Sequence, residues 1–199
     1  MMAAMTADSH DPIAKFIRWL DNARRLRIPN YEAMALATAG RDGKTSVRFV
    51  LLKGIDQRGF VFFTDARSRK GRELRSNPRA SLAFYWQPKG RQVRVEGSVE
   101  EVTPSEADAY WPTRPRQSQL AASASHQSAR LRSRAELLAR CAHLASKFRG
   151  GEVPRPSYWT GFRVRPDAIE FWTDRKHRLH ERELYTRQPR GWRRDLLQP

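Results

Sequence analysis

Three groups of cationic side chains in this sequence could bind anions. They lie at residues 67–72, 109–135 and 175–182, and the second stretch holds five arginines and no acidic residue. A single arginine in such a stretch is most often a solvated surface charge. Because the three groups are interleaved with aromatic residues, they nevertheless favour anion-binding sites.

The first group lies where a helix should begin, at Ser68. Free backbone N–H groups and the positive end of the helix dipole suit such a terminus to a phosphate. Arg69 and Lys70 in the first turn oppose the dipole, which is understandable if a dianion binds there. The alternative is that both side chains simply reach solvent.

In the third group, Arg178, His180 and Arg182 occupy alternate positions. In an extended strand they would share one face. Such a cationic wall with one imidazole could orient an anionic substrate and move protons. The alternative, which spacing alone favours, is an exposed edge strand protected by its charge.

Arg48 and Lys53 bracket the apolar run Phe49-Val50-Leu51-Leu52. They are an odd number of residues apart, so in a regular strand their side chains would lie on opposite faces. Either they serve different ligands, or the strand ends or bulges before Lys53. Cys141 lies on the apolar stripe of a predicted helix and is interpreted as a core residue.

Composition limits the function classes. The 199 residues carry 38 Lys and Arg against 21 Asp and Glu, a formal net charge of +17. That excess fits a nucleic-acid-binding module or an enzyme of phosphorylated ligands. No apolar run is long enough for a membrane span, no signal peptide is seen, and the single Cys fits a reducing, cytoplasmic setting. Neither a zinc pattern nor a common nucleotide or hydrolase motif is present.

Apolar periodicity and turn signals predict the elements that hold these residues. Helices are expected from Asp11-Pro12 to about residue 27, at 68–76, after Thr103, and after Ser133, with 112–131 as a loop. Strands are expected at 33–39, 45–55, 60–64, 80–86, 91–102, 158–164 and 168–173. Short strands with tight turns favour an α+β protein built on an antiparallel β-barrel. One domain is expected over 11–199, preceded by a flexible segment, 1–10.

The motifs together closely resemble the pyridoxamine (pyridoxine) 5′-phosphate oxidase family from about Asp11 to Pro199. The matching segments are RFVLLK at 48–53, SRKGREL at 68–74, NPRASLAFYW at 77–86, RQVRVEG at 91–97, YWPTRPRQSQ at 110–119, HQS at 126–128, IEFW at 169–172 and RLHER at 178–182. The resemblance implies a split β-barrel homodimer with FMN at the subunit interface. It also implies oxidation of pyridoxamine or pyridoxine 5′-phosphate to pyridoxal 5′-phosphate, with O2 as acceptor and H2O2 as by-product.

The resemblance also assigns roles by matching position. Those for FMN are Arg48, Phe49, Val50, Leu51, Leu52, Lys53, Phe63, Thr64, Arg69, Lys70, Gln92, Gln127, Ser128, Trp172 and Arg182. Those for the substrate are Lys53, Tyr110, Arg114, Ser118, Arg178, Leu179 and His180. Of these, Arg178 and His180 would be catalytic and lie over the pyridine ring.

Three departures from the family pattern are visible. Residues 1–10 lack the Arg and Tyr that close over the substrate in many members. Phe63 replaces a Tyr, and Ala121-Ala122-Ser123 replaces Gly-Ala-Trp. Two other functions remain as alternatives: a related flavin oxidase of another ring, as in phenazine pathways, and a basic nucleic-acid-binding module. No membrane or nucleic-acid partner is expected under the first hypothesis.

Overall fold

The computed structural model describes residues 11–199, so the predicted flexible segment 1–10 lies outside the described residues. Five α-helices are present: α1 (Pro12–Arg25), α2 (Arg69–Ser76), α3 (Pro104–Tyr110), α4 (Arg116–Ala124) and α5 (Arg134–Lys147). Nine strands accompany them: β1 (Ala33–Ala39), β2 (Thr45–Leu51), β3 (Gly54–Asp56), β4 (Gly59–Asp65), β5 (Arg79–Trp86), β6 (Arg91–Glu101), β7 (Trp159–Thr173), β8 (Glu181–Arg187) and β9 (Trp192–Leu197).

The strands form one antiparallel sheet that curls into a half-barrel. Its order is β2-β1-β5-β6-β7-β4-β3, and β8 pairs with both β7 and β9. The amino-terminal half of β7 pairs with β4, and its carboxyl-terminal half pairs with β8. The α+β split-barrel class predicted from the sequence is therefore confirmed. Strand β7 joins the two halves of the sheet.

A bulge bends β7 at its middle. Glu96 pairs with Ala168 and Gly97 with Pro166, which leaves Asp167 as the extra residue. Pro166 lacks an N–H donor and is tolerated in a strand at such a position. A β-carbon on Gly97 would lie 1.9 Å from the carbonyl oxygen of Arg165, so the close approach of the two strands requires glycine.

Helix α1 closes the inner face of the sheet. Asp11 caps it by accepting a hydrogen bond from the Ile13 N–H at 2.8 Å. Its Phe16 ring is fully buried and makes edge contacts with Phe60 at 4.9 Å and Phe84 at 4.8 Å between centroids. The apolar stripe predicted for this helix therefore forms the centre of the main core. A smaller core around Trp111, Leu120 and Trp159 lies among α3, α4, α5 and the start of β7.

Three predictions about the elements were wrong. The segment 112–131 is not all loop, because α4 forms within it. The predicted strand 45–55 is two strands, since pairing with β1 ends at Leu51. The two strands predicted near the carboxyl terminus are one, β7, because the bulge lets pairing continue past Pro166. The helix predicted after Thr103, by contrast, is confirmed, and it begins with a capping box formed by Thr103 and Glu106.

Within residues 11–199, no helix has the length and apolarity needed to cross a membrane. The same part of the chain contains no group of three or more metal-ligating side chains. Cys141 is a partly exposed free thiol, not a core residue as predicted.

Candidate active site

Most of the predicted ligand-binding residues line two adjoining clefts, of about 280 and 400 Å³, on one face of the molecule. We call this the basic cleft. The strands β2 and β4 form its floor, and α3, α4 and the segment after α4 form its walls. The predicted site residues that line it are Arg48, Phe49, Val50, Leu51, Lys53, Phe63, Thr64, Lys70, Tyr110, Arg114, Ser118 and Gln127.

Arg48 and Lys53 reach the same cleft although they differ in parity. Strand β2 ends at Leu51, and the Lys53 N–H then donates to the Val61 carbonyl oxygen at 2.8 Å. The chain thus turns toward β4 before Lys53. The second alternative, a strand that ends before Lys53, is confirmed. Leu52, also predicted to contact the cofactor, has its side chain buried in the core.

Lys70 is a buried cation that contacts no carboxylate within residues 11–199. Only 7% of the residue is exposed, and its Nζ donates to neutral oxygens of Thr64 at 3.0 Å and Gln127 at 2.8 Å. Burial, followed by repulsion from Arg48, lowers the pKa of Lys70 to about 8. A buried charge with only neutral partners is costly, so this site has the chemistry of an anion site.

The predicted helix start at Ser68 is confirmed and adds to that chemistry. The Ser68 hydroxyl caps α2 by accepting from the Gly71 N–H. The Arg69 N–H donates to the Ser128 hydroxyl at 3.1 Å, which ties the segment after α4 to the helix terminus. Ser128 holds a left-handed backbone at φ 71°. The structure therefore brings Arg69, Lys70, Gln127 and Ser128 together, as predicted.

Glu73 organises the arginines beside this terminus. Its Oε2 accepts from the Thr38 hydroxyl at 2.5 Å and the Ser46 hydroxyl at 2.6 Å, and lies 3.4 Å from Arg48. Its Oε1 accepts from Arg69 Nε at 2.8 Å. Burial alone would raise the pKa of Glu73, but these hydrogen bonds outweigh it and hold the pKa at about 2.

Stacked aromatic rings form the opposite wall of the cleft. Phe63 lies parallel to Tyr110 at 4.1 Å and to Trp159 at 5.1 Å between centroids. The guanidinium of Arg114 lies over the Trp159 ring at 4.7 Å. Its Nη1 is buried and has no hydrogen-bond partner among the described residues. Burial lowers the pKa of Arg114, and an anion at Nη1 would offset that penalty.

The remaining predicted residues form a second group, which we call the tryptophan cluster: Gln92, Trp172, His180 and Arg182. Trp172 pairs with Gln92 on β6 and with Arg182 on β8. The His180 ring lies 4.6 Å from that of Trp172. Arg182 Nε donates to the buried carboxylate of Glu170 at 2.8 Å.

The two groups lie at opposite ends of β7. Thr160 pairs with Thr64 beside the basic cleft, whereas Trp172 belongs to the tryptophan cluster. Twelve residues separate these positions, a contour length of about 40 Å along the bent strand, and no residue of the tryptophan cluster lines either cleft. Within one chain, the structure therefore does not bring all the predicted residues into one site.

The strand pattern expected for Arg178, His180 and Arg182 was wrong. Residues Lys176–Arg178 form a 3-10 turn, and β8 begins only at Glu181. Arg178 has a left-handed backbone at φ 61°, so alternation along a strand cannot set its direction. Arg178 and Leu179 are exposed, whereas His180 is partly buried against Trp172.

Sequence reasoning missed the acidic residues that hold the cations. Glu73 binds two arginines, Glu170 binds Arg182, and Glu32 accepts from Lys53 Nζ at 2.8 Å. Only Glu73 carried a local signal, since it lies four residues after Arg69 on one helix. The other two come from distant strands and loops.

Comparison with known proteins places these features in a family context. Residues 20–147 match a family model described as pyridoxamine 5′-phosphate oxidase. Residues 159–199 match one described as the pyridoxine 5′-phosphate oxidase C-terminal dimerisation region.

Two curated relatives are similar along most of this chain, and both are named pyridoxine/pyridoxamine 5′-phosphate oxidase. That of Rubrobacter xylanophilus is 54% identical over 189 residues, which cover 95% of this chain and 87% of the relative. That of Myxococcus xanthus is 52% identical over 189 residues, which cover 95% of this chain and 92% of the relative.

Solved structures share the fold. PhzG from Burkholderia lata, in complex with tetrahydrophenazine-1-carboxylic acid, superposes with a TM-score of 0.92 at 37% identity and covers 100% of this chain and 98% of its own. An FMN-binding protein from Nostoc punctiforme related to pyridoxamine 5′-phosphate oxidase superposes with a TM-score of 0.77. The match covers 96% of this chain and 100% of the Nostoc protein. At 17% identity, the second supports the fold alone.

Proposed function

The chain belongs to the pyridoxamine 5′-phosphate oxidase family, and from this premise we propose that it converts pyridoxamine and pyridoxine 5′-phosphates to pyridoxal 5′-phosphate, with O2 as acceptor and H2O2 as by-product. The observation that carries the proposal is the identity of 54% and 52% to relatives with that activity in their names. The basic cleft supports it, because Lys70 and Arg114, which contact no carboxylate within residues 11–199, suit phosphorylated ligands.

FMN is the proposed cofactor. Lys70, whose Nζ is buried among neutral oxygens at the amino terminus of α2, fits a phosphate in charge and as a hydrogen-bond donor. Arg48, Arg69 and Ser128 would complete that phosphate site, and the strand segment 49–53 with Phe63, Thr64 and Gln127 would line the rest. FMN, when bound, supplies the acceptor for the two electrons that leave the substrate.

The substrate phosphate would bind at the aromatic wall. Arg114 presents the buried, unpartnered Nη1, and Ser118 lines the same cleft. Lys53 and Tyr110 face it from the other side. A phosphate fixed at these groups would anchor the substrate and so fix the position of its reacting carbon.

His180 would handle a proton at the reacting end of the substrate. Its Nδ1 lies 3.1 Å from Asp174 Oδ1 and 3.3 Å from the Arg175 backbone nitrogen, which leaves Nε2 as the ring nitrogen that would face the substrate. Arg178 and Leu179 lie beside it in the chain and would contact the pyridine ring. These three residues are in the tryptophan cluster or next to it, away from the basic cleft of their own chain.

A homodimer would complete the site. No residue of the tryptophan cluster lines the basic cleft of the same chain, and the two groups lie at opposite ends of the bent strand β7. The match of residues 159–199 to a dimerisation region supports pairing through β7–β9. Exposed apolar residues of β2 beside the cleft support it too, with Phe49 exposed over 77% of its surface. The partner would therefore supply Gln92, Trp172, His180 and Arg182.

An aerobic assay tests the proposed function. Purified protein supplied with FMN should convert pyridoxine 5′-phosphate to the aldehyde while forming an equal amount of peroxide. Arg114→Ala should raise KM sharply and change kcat less, because the guanidinium binds the unreactive phosphate. An unchanged KM would remove Arg114 from the proposed phosphate site.

A phenazine-type ring oxidase is the second candidate, favoured only by the fold match to PhzG at 37% identity. The same assay with a reduced phenazine carboxylate in place of pyridoxine 5′-phosphate separates the two. Turnover of the phenazine alone would replace the first proposal.

A further inference from the structure

The segment that joins β7 to β8 has an unfavourable backbone. It runs from Asp174 to His180, and two successive residues, His177 and Arg178, have φ of 59° and 61°. Non-glycine residues rarely adopt this left-handed region, and they remain there only when surrounding contacts enforce it. Something in the segment must therefore hold its shape.

An ion pair closes the base of the segment. Arg175 Nε lies 3.0 Å from Glu181 Oε1, and Nη2 lies 2.7 Å from Oε2. This two-bond arrangement fixes orientation as well as distance. Glu181 is itself anchored, because it pairs with Thr173 at the end of β7.

Asp174 holds the His180 ring from a second direction. Its Oδ1 lies 3.1 Å from His180 Nδ1. Its N–H donates to the Gly90 carbonyl oxygen at 2.7 Å, and a β-carbon on Gly90 would lie only 2.7 Å from that of Asp174. Asp174 therefore rests against the start of β6, and the ring is held between it and Trp172.

We propose that Asp174, Arg175 and Glu181 are positioning residues: together they form a clasp that fixes Arg178 and His180 for the substrate. The proposal rests on the proposed function, which makes Arg178 and His180 substrate-contacting residues. The clasp residues themselves have no substrate or cofactor contact assigned. Their effect passes through the shape of the segment.

Charge reversal tests the clasp. Arg175→Glu and Glu181→Arg should each lower kcat/KM for pyridoxine 5′-phosphate about three- to fivefold, the range for an exposed but two-bonded ion pair. The double variant, with the charges exchanged, should recover kcat/KM to within about twofold. The melting temperature and the Kd for FMN should change little in all three variants.

A matched control comes from a second exposed ion pair. Arg79 and Asp167 lie 2.8 Å apart, with side chains exposed by 61% and 52%, against 48% and 61% for Arg175 and Glu181. Arg79→Glu and Asp167→Arg should leave kcat/KM unchanged. Asp174→Ala should lower kcat/KM about as much as the single charge-reversal variants. Asp174→Asn, which keeps a polar atom beside Nδ1, should lower kcat/KM less.

Hydrogen exchange gives a readout that does not depend on activity. The amides of residues 175–181 should exchange faster in each single-reversal variant and return to the original rate in the double variant. Faster exchange with unchanged kcat/KM would overturn the positioning role, as would a loss of kcat/KM that follows the melting temperature. If the original protein does not oxidise pyridoxine 5′-phosphate, the proposed function fails. Unchanged hydrogen exchange of residues 175–181 in the single variants would show, independently of activity, that no clasp exists.

Discussion

Lys70 is the residue at which charge, burial and binding are most directly coupled. It is buried among neutral oxygens at the terminus of α2, and burial lowers its pKa to about 8. A bound phosphate would favour the charged form and raise that pKa again. The affinity for FMN and the protonation of Lys70 are therefore linked.

This linkage predicts a pH dependence of FMN binding. Between about pH 7 and pH 8 the free protein carries most of the Lys70 proton and the FMN phosphate is already a dianion, so the Kd should change little. Above pH 8 binding must take up a proton, and the Kd should rise by up to about tenfold per pH unit. Fluorescence titration of FMN across this range measures it. Lys70→Gln should bind more weakly with no such rise, and a flat profile in the original protein would contradict the prediction.

The lowered pKa of Glu73 predicts that the protein loses stability at low pH, whereas Lys70 predicts weaker FMN binding at high pH. Its pKa is about 2 in the folded protein, below the ordinary value of 4.5. Its contribution is therefore complete above about pH 4.5 and is lost as the pH falls toward 2. Glu73→Gln should lower the free energy of unfolding at neutral pH by on the order of 2–3 kcal/mol.

Urea denaturation at fixed protein concentration checks the Glu73 prediction. The difference between the original protein and Glu73→Gln should shrink as the pH is lowered from about 5 to about 3. A difference that stays constant over this range would mean that packing, and not the carboxylate charge, stabilises the site.

At the scale of elements, the bulge in β7 decides how far the sheet extends. It allows one strand to pass Pro166 and to serve three partners, β4, β6 and β8. The two groups of site residues lie on either side of it. The close contact between Gly97 and the Arg165 carbonyl is what permits the bulge.

Gly97→Ala should therefore be severely destabilising. The added methyl group overlaps backbone, which cannot rotate away as a side chain can, and the expected cost is about 3 kcal/mol or more. The melting temperature should fall by roughly 6 °C or more.

Gly43→Ala is the matched control for that substitution. Gly43 has φ 75° in an exposed turn, and nothing lies within 4 Å of its added carbon. Its cost should be limited to about 1 kcal/mol of left-handed strain. Equal losses at the two positions would show that close strand contact is not the cause at Gly97.

The elements themselves were largely predictable from local pattern. Apolar periodicity identified α1 and α5, and turn signals identified most strand ends, because both are properties of consecutive residues. Helix α4 was missed since its first turn lacks a capping side chain. The continuity of β7 from Trp159 to Thr173 was missed, because it depends on pairing with β6 on both sides of Pro166.

At the scale of the whole molecule, the proposed site depends on two chains. The basic cleft of one chain would meet the tryptophan cluster of another. This arrangement predicts that two inactive variants can restore each other when they form mixed dimers.

Lys70→Ala removes a residue of the basic cleft, and Arg182→Ala removes one of the tryptophan cluster. If both are inactive alone, a randomly mixed population should recover about one quarter of the original activity, since half of the dimers are mixed and each has one intact site. Unfolding and refolding the variants together, followed by the oxidase assay, measures this. A mixture of two cleft variants, Lys70→Ala and Arg114→Ala, should show no more activity than the average of the two variants measured separately.

Activity above that of the separate variants in the mixture of cleft variants would contradict a site that takes its whole basic cleft from one chain. No recovery with Lys70→Ala and Arg182→Ala, despite demonstrated mixed dimers, would mean that the two groups do not act on one ligand. Native mass spectrometry of the mixture identifies the mixed dimers independently of activity.

The sequence by itself determined four of the five described helices and most strands, the cationic helix start at Ser68 and the family resemblance. These depend on residues close together in the chain, whose spacing fixes which face each side chain occupies. The tertiary structure decided three other matters: that Arg48 and Lys53 share a cleft, that Glu73 and Glu170 hold the arginines, and that the candidate residues form two distant groups. Each depends on where strands end, bulge and pair, and pairing joins residues that no local pattern connects.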